Sequence, residues 1–399
     1  MTTILRRFFK AEYKIANRMT ARLFSALLIF CLACIDPYAP DSLAIDYGIL
    51  VIDGYFVPND TTRIQLSRTV TIDHVANSAP EPIAQVRIEG DNGFTLSLEP
   101  HADHSYTVPP VTVDYNAHYR LAVRTSDGRE YASKFVPVAA KTQVDSVVVH
   151  QSTNTEVVTF NVFARDPRNV SRYYSYQFDE TWEYIAKDYS VYEFKNGMIV
   201  PRPRADELYT CWRSRPSADI LVTSTEQLAE DIVYDFPILS MRQSDRRLYF
   251  AYSLNARQYV LTPEGYSYWR IIKQNSEELG TLFDPLPAQP NGNITCTSEP
   301  GRPVVGFFTA SDVSTSRVLV KREELRGPNE PYQSDGYENC GSEIFPLDEM
   351  DEQHLAGRLI NNKKFDLITF ELVGYSVYPS YCLDCQLQGG TTKRPDFWR

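Results

Sequence analysis

Strand-forming runs separated by turn punctuation recur along this chain from Gly48 onward, and that rhythm limits the possible folds more than any other feature. The first group comprises GILVIDGYF (48–56), TRIQLSRTVTI (62–72), AQVRIEG (84–90), FTLSLEP (94–100), YRLAVRT (119–125) and EYASKFVPV (130–138). Asn92-Gly93 and Asp127-Gly128 punctuate it, and both pairs suit primed hairpin turns because these residue types tolerate positive φ. The pattern predicts one small immunoglobulin-like or transthyretin-like β-sandwich over residues 46–140. Aromatic residues reach 13%, with 26 Tyr and 20 Phe. They suit half-buried strands, and a carbohydrate-stacking surface also uses them; their spread along the whole length favours the β-core reading.

A second β region starts with VDSVVV (144–149), VVTFNVFARDP (157–167) and YYSYQFDETWEY (173–184). Irregular, charged sequence interrupts its middle. Strands resume at RRLYFAYSLNARQYVL (246–261), VVGFFTA (304–310), SRVLVKR (316–322) and FDLITFELVGY (365–375). One helix is marked by Thr262 as cap, Pro263 at the first helical position and Glu264 at the positive dipole end. It is predicted to run to about Leu279 and stop near Gly280, with Tyr268, Ile271, Ile272 and Leu279 on one face. Since 399 residues exceed what one core usually holds, a larger β-rich domain over 141–399 with the helix near 262–279 is expected to follow the sandwich. The fold class is mainly β.

Residues 23–33 read LFSALLIFCLA, an apolar stretch too short to span a bilayer comfortably and preceded by Arg6, Arg7, Lys10, Lys14, Arg18 and Arg22 against Glu12 alone. This is the layout of a signal peptide over 1–33, and translation from Met19 would give it the compact start MTAR. Leu32-Ala33-Cys34 makes Cys34 the expected lipid acceptor, although Cys31 stands where a Leu or Val is usual. Several acyl chains would give firm anchoring, and the Pro-rich 34–45 would tether the body off the membrane. The whole chain carries −11, and without its cationic leader it is more acidic still. Nucleic acid is an improbable partner for it.

Five further cysteines, Cys211, Cys296, Cys340, Cys382 and Cys385, are possible disulfide partners in an exported protein, and their odd number leaves at least one unpaired. Cys382-Leu-Asp-Cys385 is a disulfide component, a metal half-site or a redox pair. Compartment favours the first, because no further zinc ligands and no thioredoxin-like context accompany it. Of His74, His101, His104, His118, His150 and His354, only His101-Ala-Asp-His104 approaches a ligand cluster, and it reads as a solvated strand connection. No nucleophile elbow, phosphate loop or dinucleotide fingerprint is present. Asp179, Glu180 and Glu183 beside Trp182 are the one acid group that could serve glycoside cleavage, although such clusters on an acidic protein are usually surface.

Several segments, in order, resemble the Bacteroidota lipoprotein family called domain of unknown function 4249. They are CIDPY (34–38), LVIDGYF (50–56), YYSYQFDETWEY (173–184), Cys211-Trp212, YSYW (266–269), NSEELGTLFDPLPAQPNGNITC (275–296), RPVVGFFTAS (302–311) and YCLDCQLQGGTTKRPDFW (381–398). The resemblance implies a lipid-anchored outer-membrane protein, often encoded beside TonB-dependent receptors, and it carries over no catalytic residue. The expectation is a non-enzymatic accessory or ligand-binding partner of such a receptor in nutrient uptake, without cofactor or metal. A structural or adhesive surface protein is the alternative. Whether a small molecule or a glycan is the ligand is left open by the residues.

Overall fold

The computed structural model describes residues 48–398 apart from 71–78, 82, 153–154, 196–197, 278–289, 326–336, 338, 342, 347–366 and 372–373. The leader, Cys34, the 34–45 tether, His74 and His354 therefore lie outside the described residues, as do Leu279 and Gly280. Residues 48–399 form one compact unit, and the strands among the described residues gather into five sheets.

Two sheets make the first sandwich. Leu50–Phe56 pairs antiparallel with Thr62–Arg68, which pairs with Ser105–Val108. The facing sheet runs Glu130–Ser133, His118–Arg124, Gln85–Gly90, Thr95–Ser97. Period-two alternation explains the closure: Leu50, Ile52, Ile64 and Leu66 from one sheet meet Val86, Ile88, Leu121 and Val123 from the other, and all are buried. The module expected over 46–140 is completed from much later in the chain. Val304–Gly306 and Thr309–Ala310 pair parallel with Leu50–Phe56, and Ile294–Cys296 pairs with Glu130–Ser133. Edge strands demand partners for their open N–H and C=O groups, and residues 294–310 supply them, also bringing Ile294, Cys296, Phe308 and Ala310 into the same core.

The two Gly turns are real but not of the primed kind. Gly93 and Gly128 take φ of 87° and 85°, whereas Asn92 and Asp127 do not adopt positive φ. Gly93 donates to Gly90 C=O and Gly128 to Thr125 C=O, so each loop is an ordinary turn closed by a left-handed glycine and exceeds the two-residue primed hairpin by a residue or more.

The second sandwich packs a three-stranded sheet, Gln143–Ser152, Val157–Arg165 and Ile232–Arg242, on a five-stranded one centred on Tyr173–Ile185 and Ala251–Val260. The middle, expected to be irregular, contains Thr210–Pro216, Leu221–Ser224 and the eleven-residue Ile232–Arg242. Two features hide the last of these. Pro237 cannot donate to a ladder, and it is tolerated because the strand is an edge. Asp235 sits at φ 54° where the register slips against Val157–Arg165, so the bulge erases the alternation that would have revealed a strand. A smaller fifth sheet joins Tyr192–Lys195 and Met198–Pro201 to Leu367–Glu371, Gly374–Tyr378 and Glu343–Pro346.

The helix spans Pro263–Glu277. Thr262 Oγ1 accepts from the Gly265 N–H at 3.1 Å, as the cap chemistry predicts, and Tyr268 is buried. Among the described residues no helix is long and apolar enough to cross a membrane.

Candidate functional site

A polar cleft forms where the two sandwiches meet, and Gly54 begins it. Its φ of 132°, with Arg63 C=O 2.2 Å from where a Cβ would sit, is a conformation and an approach that only glycine accepts. Leu50 and Ile52 point into the first core before this residue; after it Tyr55 and Phe56 are buried in succession. Phe56 enters the first core, whereas Tyr55 crosses to a junction cluster with Val57, Tyr259, Leu261 and Val313. The Tyr55 and Tyr259 rings stack at 4.5 Å and 5°, and Tyr55 Oη lies 3.1 Å from Ser175 Oγ. Asn59 completes the seam like a strand residue, donating to Val313 C=O at 2.9 Å and accepting from Val313 N–H at 2.8 Å.

The cleft holds about 780 Å3, and its polar wall includes Asp53, Asp60, Arg63, Gln177, Asp179 and Arg257. Arg257 organises it, donating to Asp60 at 3.1 Å and to Tyr259 Oη at 3.0 Å and lying 3.7 Å from Asp179. Burial opposes its charge, but Tyr259 and the two carboxylates outweigh that and raise its pKa. Burial likewise pushes the Tyr55 and Tyr259 phenols up, so both are neutral hydrogen-bonding groups. Arg63 pairs with Asp103, an exposed contact outside the wall. Asp53 is open to water in the cleft yet walled by protein, and this burial raises its pKa against the stabilising Gly54 N–H. The volume is that of a small-molecule site, and ion-paired lining groups cost little reorganisation when a ligand arrives.

The acids singled out from sequence are dispersed by strand alternation. Asp179 lines this cleft. Glu180 points the other way into the second core, where it is 1% exposed and is bound by Arg215, by Arg247 at 2.8 Å and by Tyr252 Oη at 2.7 Å. Glu183 returns to the outer face four residues on, roughly 13 Å along the strand from Asp179, and accepts from Trp398 Nε1 at 3.1 Å. No two of them face one another at the separation that glycoside cleavage uses.

The cysteines resolve into Cys211–Cys385 and Cys340–Cys382, with Cys296 reduced and buried in the first core. Cys382 and Cys385 thus serve different bridges and share no dithiol. The short helix Ser380–Leu383 and the turn Cys385–Gln388 aim them apart. His101 lies against Thr107 and His104 against the Glu81 carbonyl, in a strand connection. His118 and His150 pair separately with Asp91 and Asp235. Among the described residues no three His, Cys, Asp or Glu side chains gather as a metal site would need.

Arg257, Asp60, Tyr55 and Tyr259 escaped sequence reasoning. The available signal was the Asp53-Gly54 interruption inside an otherwise apolar alternation.

No curated protein matches the chain. Trypsin-activated alpha-2-macroglobulin from Escherichia coli is 11% identical, over 55% of this chain and 15% of that one, with a TM-score of 0.17. A Salmonella alpha-2-macroglobulin variant is 13% identical, over 55% and 14%, with a TM-score of 0.16. The chain spans about 15% of the length of those proteins, and overlaps this poor carry no argument. A family model covers far more: it matches residues 35–317, and by that match the chain belongs to the Domain of unknown function (DUF4249) family.

Proposed function

We propose that this protein is a non-catalytic binding component of a bacterial outer membrane, anchored through Cys34 and acting with a TonB-dependent receptor in nutrient uptake. The junction cleft is the observation that carries this reading. Its Asp60 and Asp179 carboxylates are held around Arg257 and its phenols are neutral, which is the chemistry of a preorganised recognition surface. Two disulfides suit an oxidising, extracytoplasmic location. The resemblance to Bacteroidota lipoproteins supplies the expected partner. Affinity purification of the tagged lipoprotein from detergent-solubilised outer membranes, followed by mass spectrometry, tests it. Stoichiometric recovery of a TonB-dependent receptor is expected. Recovery of the lipoprotein alone would overturn the receptor partnership in favour of an adhesive or independent role.

A further inference from the structure

A second cavity, about 480 Å3, lies further along the outer face of Tyr173–Ile185, where Glu183 emerges. Trp212, Trp398, Tyr249 and Phe250 give it an aromatic lining, and Lys321 and Arg394 bring positive charge. It is a built site assembled from distant parts of the chain. The Cys211–Cys385 bridge pins the segment ending at Trp398 beside Thr210–Pro216. Trp212 and Thr391 then exchange two backbone hydrogen bonds of 2.9 Å, and Arg213 donates to Gln388 C=O at 3.1 Å. The indoles of Trp212 and Trp398 meet edge to face at 6.4 Å. Trp398 Nε1–H is satisfied by Glu183 Oε2, whereas Trp212 Nε1 is buried without a hydrogen-bond partner among the described residues. An N–H in that position keeps its desolvation cost unless an oxygen reaches it.

From this arrangement we propose that the cavity binds an acidic saccharide, a uronate-containing disaccharide in size. A sugar ring presents an apolar C–H face, which aromatic rings accept, and a rim of hydroxyls, which need indole N–H donors and a carboxylate acceptor. Trp212 Nε1–H and Glu183 meet that need. Lys321 and Arg394, both exposed, provide the cations that a uronate carboxylate pairs with. With Arg322 they make three cations against the carboxylates of Glu183 and Glu323, so the lining carries one positive charge in excess. The site is separate from the junction cleft, and the inference does not depend on the receptor partnership.

Titration of the full chain with digalacturonate, followed by tryptophan fluorescence, is the test, because two of the four Trp residues line the cavity. A saturable change is expected. Lys321→Ala combined with Arg394→Ala weakens binding about tenfold, as loss of a charge-assisted contact should. Trp212→Phe, which keeps a ring but removes the N–H, weakens it about fivefold. Maltose, neutral and of the same size, binds at least about tenfold more weakly than digalacturonate. An unchanged thermal unfolding midpoint in the Lys321 and Arg394 variant verifies that its fold is intact. Absence of a saturable response, equal affinity for maltose, or indifference to the double charge substitution would each overturn the proposal.

Discussion

The sandwich around Leu50–Phe56 closes over Leu50, Ile64, Leu66, Ile88 and Leu121, whereas the one around Tyr173–Ile185 buries Tyr174, Tyr176 and Tyr252 together with Glu180, Asp231 and Gln258. The first also encloses Tyr106, Tyr119 and Tyr131, of which Tyr106 and Tyr119 bond backbone groups of Ala84 and Asp114. Its apolar contacts, however, are non-directional and many arrangements of similar volume would serve. In the second, each phenol has a specific acceptor. Tyr174 donates to Asp231 at 2.7 Å, Tyr176 to Gln258 at 2.5 Å and Tyr252 to Glu180 at 2.7 Å. Both disulfides belong to the later part of the chain, and Cys211 and Cys385 lie in its core. The contrast teaches that the first sandwich leans more on burial, while the second leans more on side-chain hydrogen bonds that fail abruptly when one partner is lost. The second is also the body that carries Arg257, Asp179 and the Trp212 cavity, where geometry has to be kept.

Severing Cys211–Cys385 should produce the largest effect. The bridge closes a span of 174 residues, and the chain-entropy argument assigns such a loop about 5 kcal/mol. The Cys211→Ala, Cys385→Ala double variant should lose most of that in urea unfolding, with amide exchange rising in residues 173–260 before 50–137. Uniform exchange across both sandwiches would break the comparison.

Next comes the pair Glu180→Ala and Leu66→Ala. The first leaves Arg247 and the buried Tyr252 hydroxyl without their shared carboxylate and should cost about 3–5 kcal/mol. The second opens a cavity at a fully buried leucine and should cost about 2–4 kcal/mol. Urea midpoints of the two variants, with Glu180→Leu alongside, sharpen the point. An apolar replacement that recovers most of the loss would show that the charge network specifies this core more than it stabilises it.

Asp166 offers a smaller, pH-dependent difference. Burial works against its charge, but bonds from Arg168 and Ser171 overcome this and lower its pKa to about 2. A depressed carboxylate contributes stability above its unfolded pKa, near 4, that is lost as pH falls toward 2. Its share is about 2 kcal/mol. Asp166→Asn should lose that amount at pH 7 and flatten the decline between pH 4 and pH 2 in a denaturation series.

Asp53 should give the smallest effect, with the opposite sign. Its pKa is raised by burial, so its charge opposes folding once pH rises through the native value. Asp53→Asn should therefore raise the unfolding midpoint slightly at pH 7 and leave it unchanged at pH 3. A drop at pH 7 would mean that the carboxylate is paired and not merely confined.

Much of the fold could be read locally. The cap at Thr262, Pro263 and the Tyr268 face lie within one helical turn or two of each other, so the sequence states that helix directly. Strands with clean alternation, such as His118–Arg124, were equally plain. Ile232–Arg242 was not, because Pro237 and the Asp235 bulge break the local rule and only the neighbouring strand makes them tolerable. Proximity in sequence also misled: Asp179, Glu180 and Glu183 look like one cluster, and the strand's period of two sends them to three environments.

The sequence by itself determined the mainly β class, the strand periodicity, the helix and the family membership, because all of these rest on residues close together along the chain. Only the tertiary structure decided which cysteines pair, that residues 294–310 complete the first sandwich, and that Asp53, Asp60, Asp179 and Arg257 share one cleft. Those contacts join separate elements, 174 residues apart in the Cys211–Cys385 bridge, and their partners are selected by the packing of whole sheets, which no local pattern encodes.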